Sequence, residues 1–223
     1  MLAAAAALVG LLIGGVINWA AGGLPRYAGH PDHPLPTFRL FVVNGPRSPE
    51  AFVEVVTAIA FALLWAKTPE PLPAAALCAA FALLLLIALT DIKHRLIPNI
   101  IVYPLLIVVI GATVGSSLVT HADLRPVLVG GCLSFGIFAL TQRLKPGSLG
   151  GGDVKLAALI GFAFGFPQVL WALLIGAGSG ALLAGWLLLT RRDARHLRIP
   201  YAPFLCFGAM IALLYNPITW NLR

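Results

Sequence analysis

Two short acidic stretches stand out in a chain otherwise poor in charge. One is Gly150-Gly151-Gly152-Asp153-Val154-Lys155-Leu156, three glycines ahead of a carboxylate, with an apolar run following at once. The other is Asp91-Ile92-Lys93-His94-Arg95-Leu96-Ile97-Pro98-Asn99, in which the acid closes an apolar run. The 223 residues hold only eight Asp and Glu together, so two that border hydrophobic segments need a reason. Each alone has a bland one. Asp153 can cap the helix that follows it, and Asp91 can be an interfacial residue paired with Lys93 or Arg95. Together they have a chemical use. Two carboxyl groups a few ångströms apart cannot both ionise cheaply, so the pair holds one proton between them. The ionised member takes a proton from water while the protonated member polarises a carbonyl. This hydrolysis needs no metal, and its titration belongs to the pair rather than to either residue.

The elements that must position such a pair are membrane helices. Hydrophobic residues make up 60% of the chain and charged residues 10%, and the mean hydropathy is +0.94. Soluble domains carry about 25% charged residues, so the composition implies an all-α polytopic membrane protein. The length allows at most about nine spans of ~20 residues. Eight apolar segments can be drawn: Leu2–Ala21, Ala51–Ala66, Ala74–Thr90, Pro98–Val119, Pro126–Thr141, Val154–Phe166, Gln168–Thr190 and Ile199–Tyr215. The first has no basic residue before it and reads as a retained span rather than a secretory signal. With eight spans, Arg26, Arg39, Arg47, Lys93, Arg95, Arg143, Lys145, Lys155, Arg191, Arg192, Arg195 and Arg198 share one side, against Lys67, Arg125 and Arg223 on the other. That asymmetry puts the first set, both aspartates and the 24–50 loop in the cytosol, with both termini outside. The net charge of +7 is thereby a topology signal, not a nucleic-acid footprint. One membrane domain over 1–223 is expected, with both aspartates in a 67–223 core. The sixth segment is 13 residues long, about 20 Å of helix against a core of ~30 Å. A start recessed into the bilayer, with the glycines as non-helical backbone in a protein-lined cavity, accounts for that shortfall.

At this point the residues resemble the type IV prepilin peptidases, intramembrane aspartic proteases of the GxGD type found in the bacterial cytoplasmic membrane. Asp91 with Ile97-Pro98-Asn99 looks like the family's first catalytic motif, and Gly150–Leu156 looks like its Gly-x-Gly-Asp motif. Gly10–Asn18 with Leu24-Pro25-Arg26 is similar to the first-span signature, and Arg198-Ile199-Pro200-Tyr201-Ala202-Pro203-Phe204-Leu205 to the last-span one. Four motifs in order are stronger evidence than any one of them. The resemblance implies that Asp91 and Asp153 are the catalytic pair. It implies an endopeptidase that removes a short basic leader from type IV prepilin-like proteins of pilus or type II secretion systems, at the cytosolic membrane face. Gly150, Gly151 and Gly152, lacking side chains, suit close approach of an extended peptide, and Lys155, Pro98 and Asn99 are further candidates for substrate contact.

One departure limits the resemblance. Many members also N-methylate the new amino terminus with S-adenosylmethionine, and carry two zinc-binding CxxC pairs in the first cytosolic loop. Here Leu24–Glu50 has no cysteine. Its His30-Pro31-Asp32-His33 reads as plain loop, because Pro31 and Pro34 break it. Cys78, Cys132 and Cys206 each stand alone in an apolar run, as packing residues do. No metal is expected, the peptidase needs no cofactor, and S-adenosylmethionine enters only if the methyltransferase is retained, which the missing cysteines place in doubt.

Two rival classes are weaker. A proton-coupled transporter would favour acids near mid-membrane and internal repeats, and a non-catalytic scaffold leaves both acidic motifs unexplained. Among lesser residues, Asn18 and Gln142 either line the cavity or bond between helices. Lys155 reads most simply as snorkelling to the surface, Arg191–Arg198 as a topology anchor near anionic lipid, and Gly176, Gly178, Gly180 and Gly185 as close helix packing.

Overall fold

A computed structural model describes residues 2–27, 49–68, 70–121, 123–145, 149–190 and 200–215. Among the described residues there are eight helices and no strand: α1 (Leu2–Tyr27), α2 (Pro49–Lys67), α3 (Pro71–His94), α4 (Asn99–Thr120), α5 (Arg125–Leu144), α6 (Gly151–Phe164), α7 (Gln168–Thr190) and α8 (Ala202–Tyr215). Each apolar segment of the sequence becomes one helix. Helices α1, α3 and α5 run on by about a turn or more past the end of their apolar stretch, because polar residues such as Lys93 and His94 prolong a helix as readily as they end a hydrophobic run. The fold is that of an all-α polytopic membrane protein, helices being the elements that satisfy their backbone groups within one segment.

Eight equal crossings are not what the helices support. Five are long and apolar enough to cross a membrane: Leu2–Gly23 of α1, α3, Asn99–Val119 of α4, α5 and α7. α2 carries Glu50, Glu54 and Lys67 within its 19 residues, while α6 and α8 have 14 each, about 21 Å of helix. The short length of α6 has a packing reason. Nine of its 14 residues are buried, so it is apolar all round because it lies inside the bundle. Helix α4 is the opposite, with Val102 fully buried alone among its described residues.

The core is built where α3, α6 and α8 meet. Leu77, Phe81, Leu84 and Ile87 of α3 join Leu156 and Ile160 of α6 and Leu205 and Leu213 of α8. Around it, α1 packs on α2 and α3, α5 on α6, α4 on α6, and α7 on α8. Gly10 and Gly14 bring α1 against the α2 backbone at Thr57, Ala58 and Glu54, a small-residue interface of the kind membrane helices use. The glycines of α7 divide. Gly176 and Gly180 meet Phe204, Leu205 and Tyr201 as close packing requires, but Gly178 and Gly185 face nothing within 4 Å.

A turn at Gly165-Phe166-Pro167 follows α6. Gly165 adopts φ +66°, a conformation that glycine takes without strain, and the Phe166 N–H donates to the Pro126 carbonyl at 2.7 Å. This closes α6 two residues before the expected end and pins it to the start of α5. Pro126 stands in the first turn of α5, where its missing N–H costs nothing. Pro98 is the extended residue just before α4, and Pro104 lies inside that helix.

Candidate active site

Asp91 occupies the last turn of α3, and its backbone carbonyl accepts the Arg95 N–H at 2.8 Å. Arg95 has turned left-handed, φ 53°, which ends the helix and turns the chain into Leu96-Ile97-Pro98. The Asp91 side chain is buried. Neither Lys93 nor Arg95 forms an ion pair with it within 4 Å among the described residues, although the Arg95 charge is felt there. The interfacial ion-pair reading of Asp91 therefore fails.

Asp153 stands in the first turn of α6, three residues past the residue that precedes the helix, Gly150. Its Oδ2 accepts the Gly150 N–H at 2.9 Å, and the Asp153 N–H donates to the Gly150 carbonyl at 3.1 Å. A carboxylate here satisfies an otherwise orphaned donor and suits the positive end of the helix dipole. The expectation of three non-helical glycines is corrected: only Gly150 is extended, while Gly151 and Gly152 are helical and the helix starts before Val154. The reason is this capping, which sets the boundary at Gly150.

The glycines also differ in what surrounds them. Gly150 and Gly151 are exposed. A Cβ at Gly152 would lie 2.8 Å from the Cβ of Ile97, so Ile97 already takes the space that a side chain would fill. The second acidic motif thus rests directly on the Ile-Pro-Asn of the first.

The two aspartates come from helices that both contribute to the core cluster and share one electrostatic neighbourhood: Asp91 lies in the field of Asp153. Two more groups face them that sequence reasoning gave no such role. Cys206 of α8 is fully buried, bonded to the backbone of Ala88, and lies in the field of both aspartates. Ala88 is one turn above Asp91, so α8 runs down α3 to bring Tyr201 and Ala202 near the level of that acid. Tyr201 lies in the field of Asp153, and its ring packs on Phe138, centroids 5.8 Å apart. The signal available in the sequence was the Pro200-Tyr201-Ala202-Pro203 stretch, which marked a helix start but not what that start faces.

The remaining candidates fall into place unevenly. Pro98 is buried at the entry to α4 and Asn99 is exposed. Lys155 does not snorkel alone: its Nζ donates to Asn99 Oδ1 at 3.1 Å and sits 4.8 Å from the centre of the Tyr103 ring. Gln142 Nε2 donates to the Leu149 carbonyl at 3.4 Å, beside the glycine motif. Asn18 bonds between helices, donating to the Glu50 carbonyl at 2.9 Å. His30–His33 and Arg191–Arg198 lie outside the described residues. Cys78, Cys132 and Cys206 stand on α3, α5 and α8, spread over three helices, so they do not fit a thiolate zinc site.

Known proteins are similar to this chain over the stretch that holds both acids. Residues 78–185, which include both aspartates, match the Type IV leader peptidase family. A Bacillus subtilis prepilin leader peptidase/N-methyltransferase is 33% identical over 164 residues, 73% of this chain and 64% of that protein. The protein of that name from Pseudomonas aeruginosa is 32% identical over 140 residues, 60% of this chain and 47% of that one. The chain spans between about half and two-thirds of the length of these relatives. No solved structure matches it. Residues 78–185 of the chain, with both aspartates, thus belong to the type IV leader peptidase family.

Proposed function

We propose that the chain is an aspartic endopeptidase of the bacterial cytoplasmic membrane that removes the short basic leader from type IV prepilin-like proteins at the cytosolic face. The observations that support this reading are that Asp91, at the end of α3, and Asp153, at the start of α6, are both buried, that their motifs touch where Gly152 lies against Ile97, and that Asp91 lies in the field of Asp153. One proton shared between them leaves a base for water and an acid for the scissile carbonyl. The tetrahedral adduct then collapses as the pair returns a proton to the leaving amine. Both acids stand at helix ends, which suits a cut next to the point where a substrate helix leaves the bilayer. The same placement disfavours a transporter, whose acids belong near the midplane.

The relatives' name includes an N-methyltransferase. Since the cysteines present fit no zinc site, no step here is routed through zinc or S-adenosylmethionine.

Co-expression with a candidate prepilin, followed by mass measurement of its mature N-terminus, tests the proposal and reads out cleavage position and any added methyl group together. Wild-type chain should release the leader, while Asp91→Asn and Asp153→Asn should leave the prepilin whole. Continued processing by either variant would overturn the assignment.

A further inference from the structure

Asp153 is bracketed by two contacts that cross from α6 to the first acidic motif. On one side, Gly152 lies against Ile97. On the other, the Lys155 ammonium hydrogen-bonds Asn99, the first residue of α4, and lies over the ring of Tyr103. Residues 99 and 103 are one helical turn apart and so share a face; one ammonium therefore grips that face at two points. Among its described residues α4 buries only Val102 completely, with Ile101, Leu105, Leu106 and Val109 half-buried against the core, so the grip adds a polar tie to an otherwise apolar seam. Although Lys155 is two residues from Asp153, no ion pair joins them among the described residues. Its charge is used across the helix gap rather than on the acid.

We infer that Lys155, Asn99 and Tyr103 form a latch that positions Asp153 against Asp91, making Lys155 and Asn99 positioning residues rather than substrate contacts. The inference rests on the peptidase reading above. A half-exposed hydrogen bond between an ammonium and an amide contributes little to stability, so the consequence of losing it falls on geometry. Displacements well under the size of an atom at a reacting group are costly in rate, about 100-fold for 1 Å.

The test uses the full chain, purified in detergent, with a purified prepilin as substrate. Lys155→Met, which keeps the stem without the charge, and Asn99→Ala should each lower kcat about tenfold with KM unchanged, the loss expected of a partial misplacement. The double variant should be no slower than either single one, since both remove the same contact. Lys155→Arg and Asn99→Asp, which preserve a charged or polar partner, should recover most of the rate. A looser pair also couples less strongly, so the two limbs of the pH–rate profile should draw together, a change that plain loss of stability does not produce. A raised KM with kcat intact would make Lys155 a substrate contact and overturn the latch, as would losses that multiply in the double variant. Asn99→Ala, an exposed substitution in a helix's first turn, carries the test if Lys155→Met does not fold. Normal kcat in these variants beside inactive Asp91→Asn sinks the latch alone; an active Asp91→Asn sinks the peptidase reading beneath it.

Discussion

Gly152→Ala is the smallest change that sets two physical effects against each other at the site. Alanine in place of glycine inside a helix is favourable by about 1 kcal/mol. Against this, the new methyl would sit 2.8 Å from Ile97 Cβ, 3.0 Å from its Cδ1 and 3.2 Å from its Cγ1. Ordinary carbon contacts lie near ~3.8 Å, so relief needs a displacement of about 1 Å between the start of α6 and the Leu96–Pro98 connection. Ile97 cannot supply it by rotation, because the closest atom is its Cβ and its χ1 is stiff. Overpacking of this kind costs about 1–3 kcal/mol, which the helix gain partly offsets, so stability should fall by no more than about 2 kcal/mol. The rate should suffer more. Asp153 is the next residue, and a 1 Å misplacement is worth about 100-fold. Purified Gly152→Ala should therefore melt close to wild type yet cleave a prepilin about 100-fold more slowly, in kcat rather than KM. Ile97→Ala added to it removes the contacts at 3.0 and 3.2 Å but not the one at 2.8 Å, so recovery should be partial. Gly151→Ala is the stability control: its methyl meets only Gln142 Nε2, at 3.9 Å, so it should raise stability by roughly the helix term of about 1 kcal/mol. A Gly152→Ala enzyme with wild-type kcat would refute the idea that this contact sets the spacing of the pair.

Two further outcomes follow from the same structure. The pH–rate profile should be bell-shaped: raising the pH ionises both carboxyls and removes the acid, while lowering it protonates both and removes the base. A rate that only rises with pH would mean that one aspartate acts without the other. At the far end of the bundle, Lys67 Nζ donates to the Leu214 carbonyl at 2.7 Å and lies 5.5 Å from the Tyr215 ring centre, occupying an orphan acceptor at the C-terminus of α8. Lys67→Met should therefore lower stability to denaturant by about 0.5–1 kcal/mol without changing kcat. An unchanged denaturation midpoint would show that this carbonyl is satisfied by other means.

Helix existence was legible in the sequence because membrane segments announce themselves by composition alone. The roles of the helices were not. Both α4 and α6 come from apolar segments, yet α6 is the buried centre of the bundle and α4 lies at its edge. The difference lies in which neighbours surround a helix, and an apolar residue suits lipid and protein interior equally. The start of α6 was misplaced for a related reason. Glycines read as non-helical until a side chain further along caps the turn they form, and here the capping acid is Asp153 itself.

The pair was recognisable because acids are rare in this chain and each sits beside an apolar run. What joins the two was hidden in residues with no chemistry of their own. Gly152 has meaning only against Ile97, 55 positions earlier, and Lys155 only against Asn99, 56 earlier. Either lysine partner or glycine neighbour, taken singly, has a bland explanation at the membrane surface. The two contacts flank Asp153 on consecutive turns and reach the same short stretch after Asp91, so the glycine-rich motif and the Ile-Pro-Asn motif are two halves of one joint. A joint gives Ile97, Pro98 and Asn99 a part in the proposed aspartate pair: they are the surface on which the second acid is set.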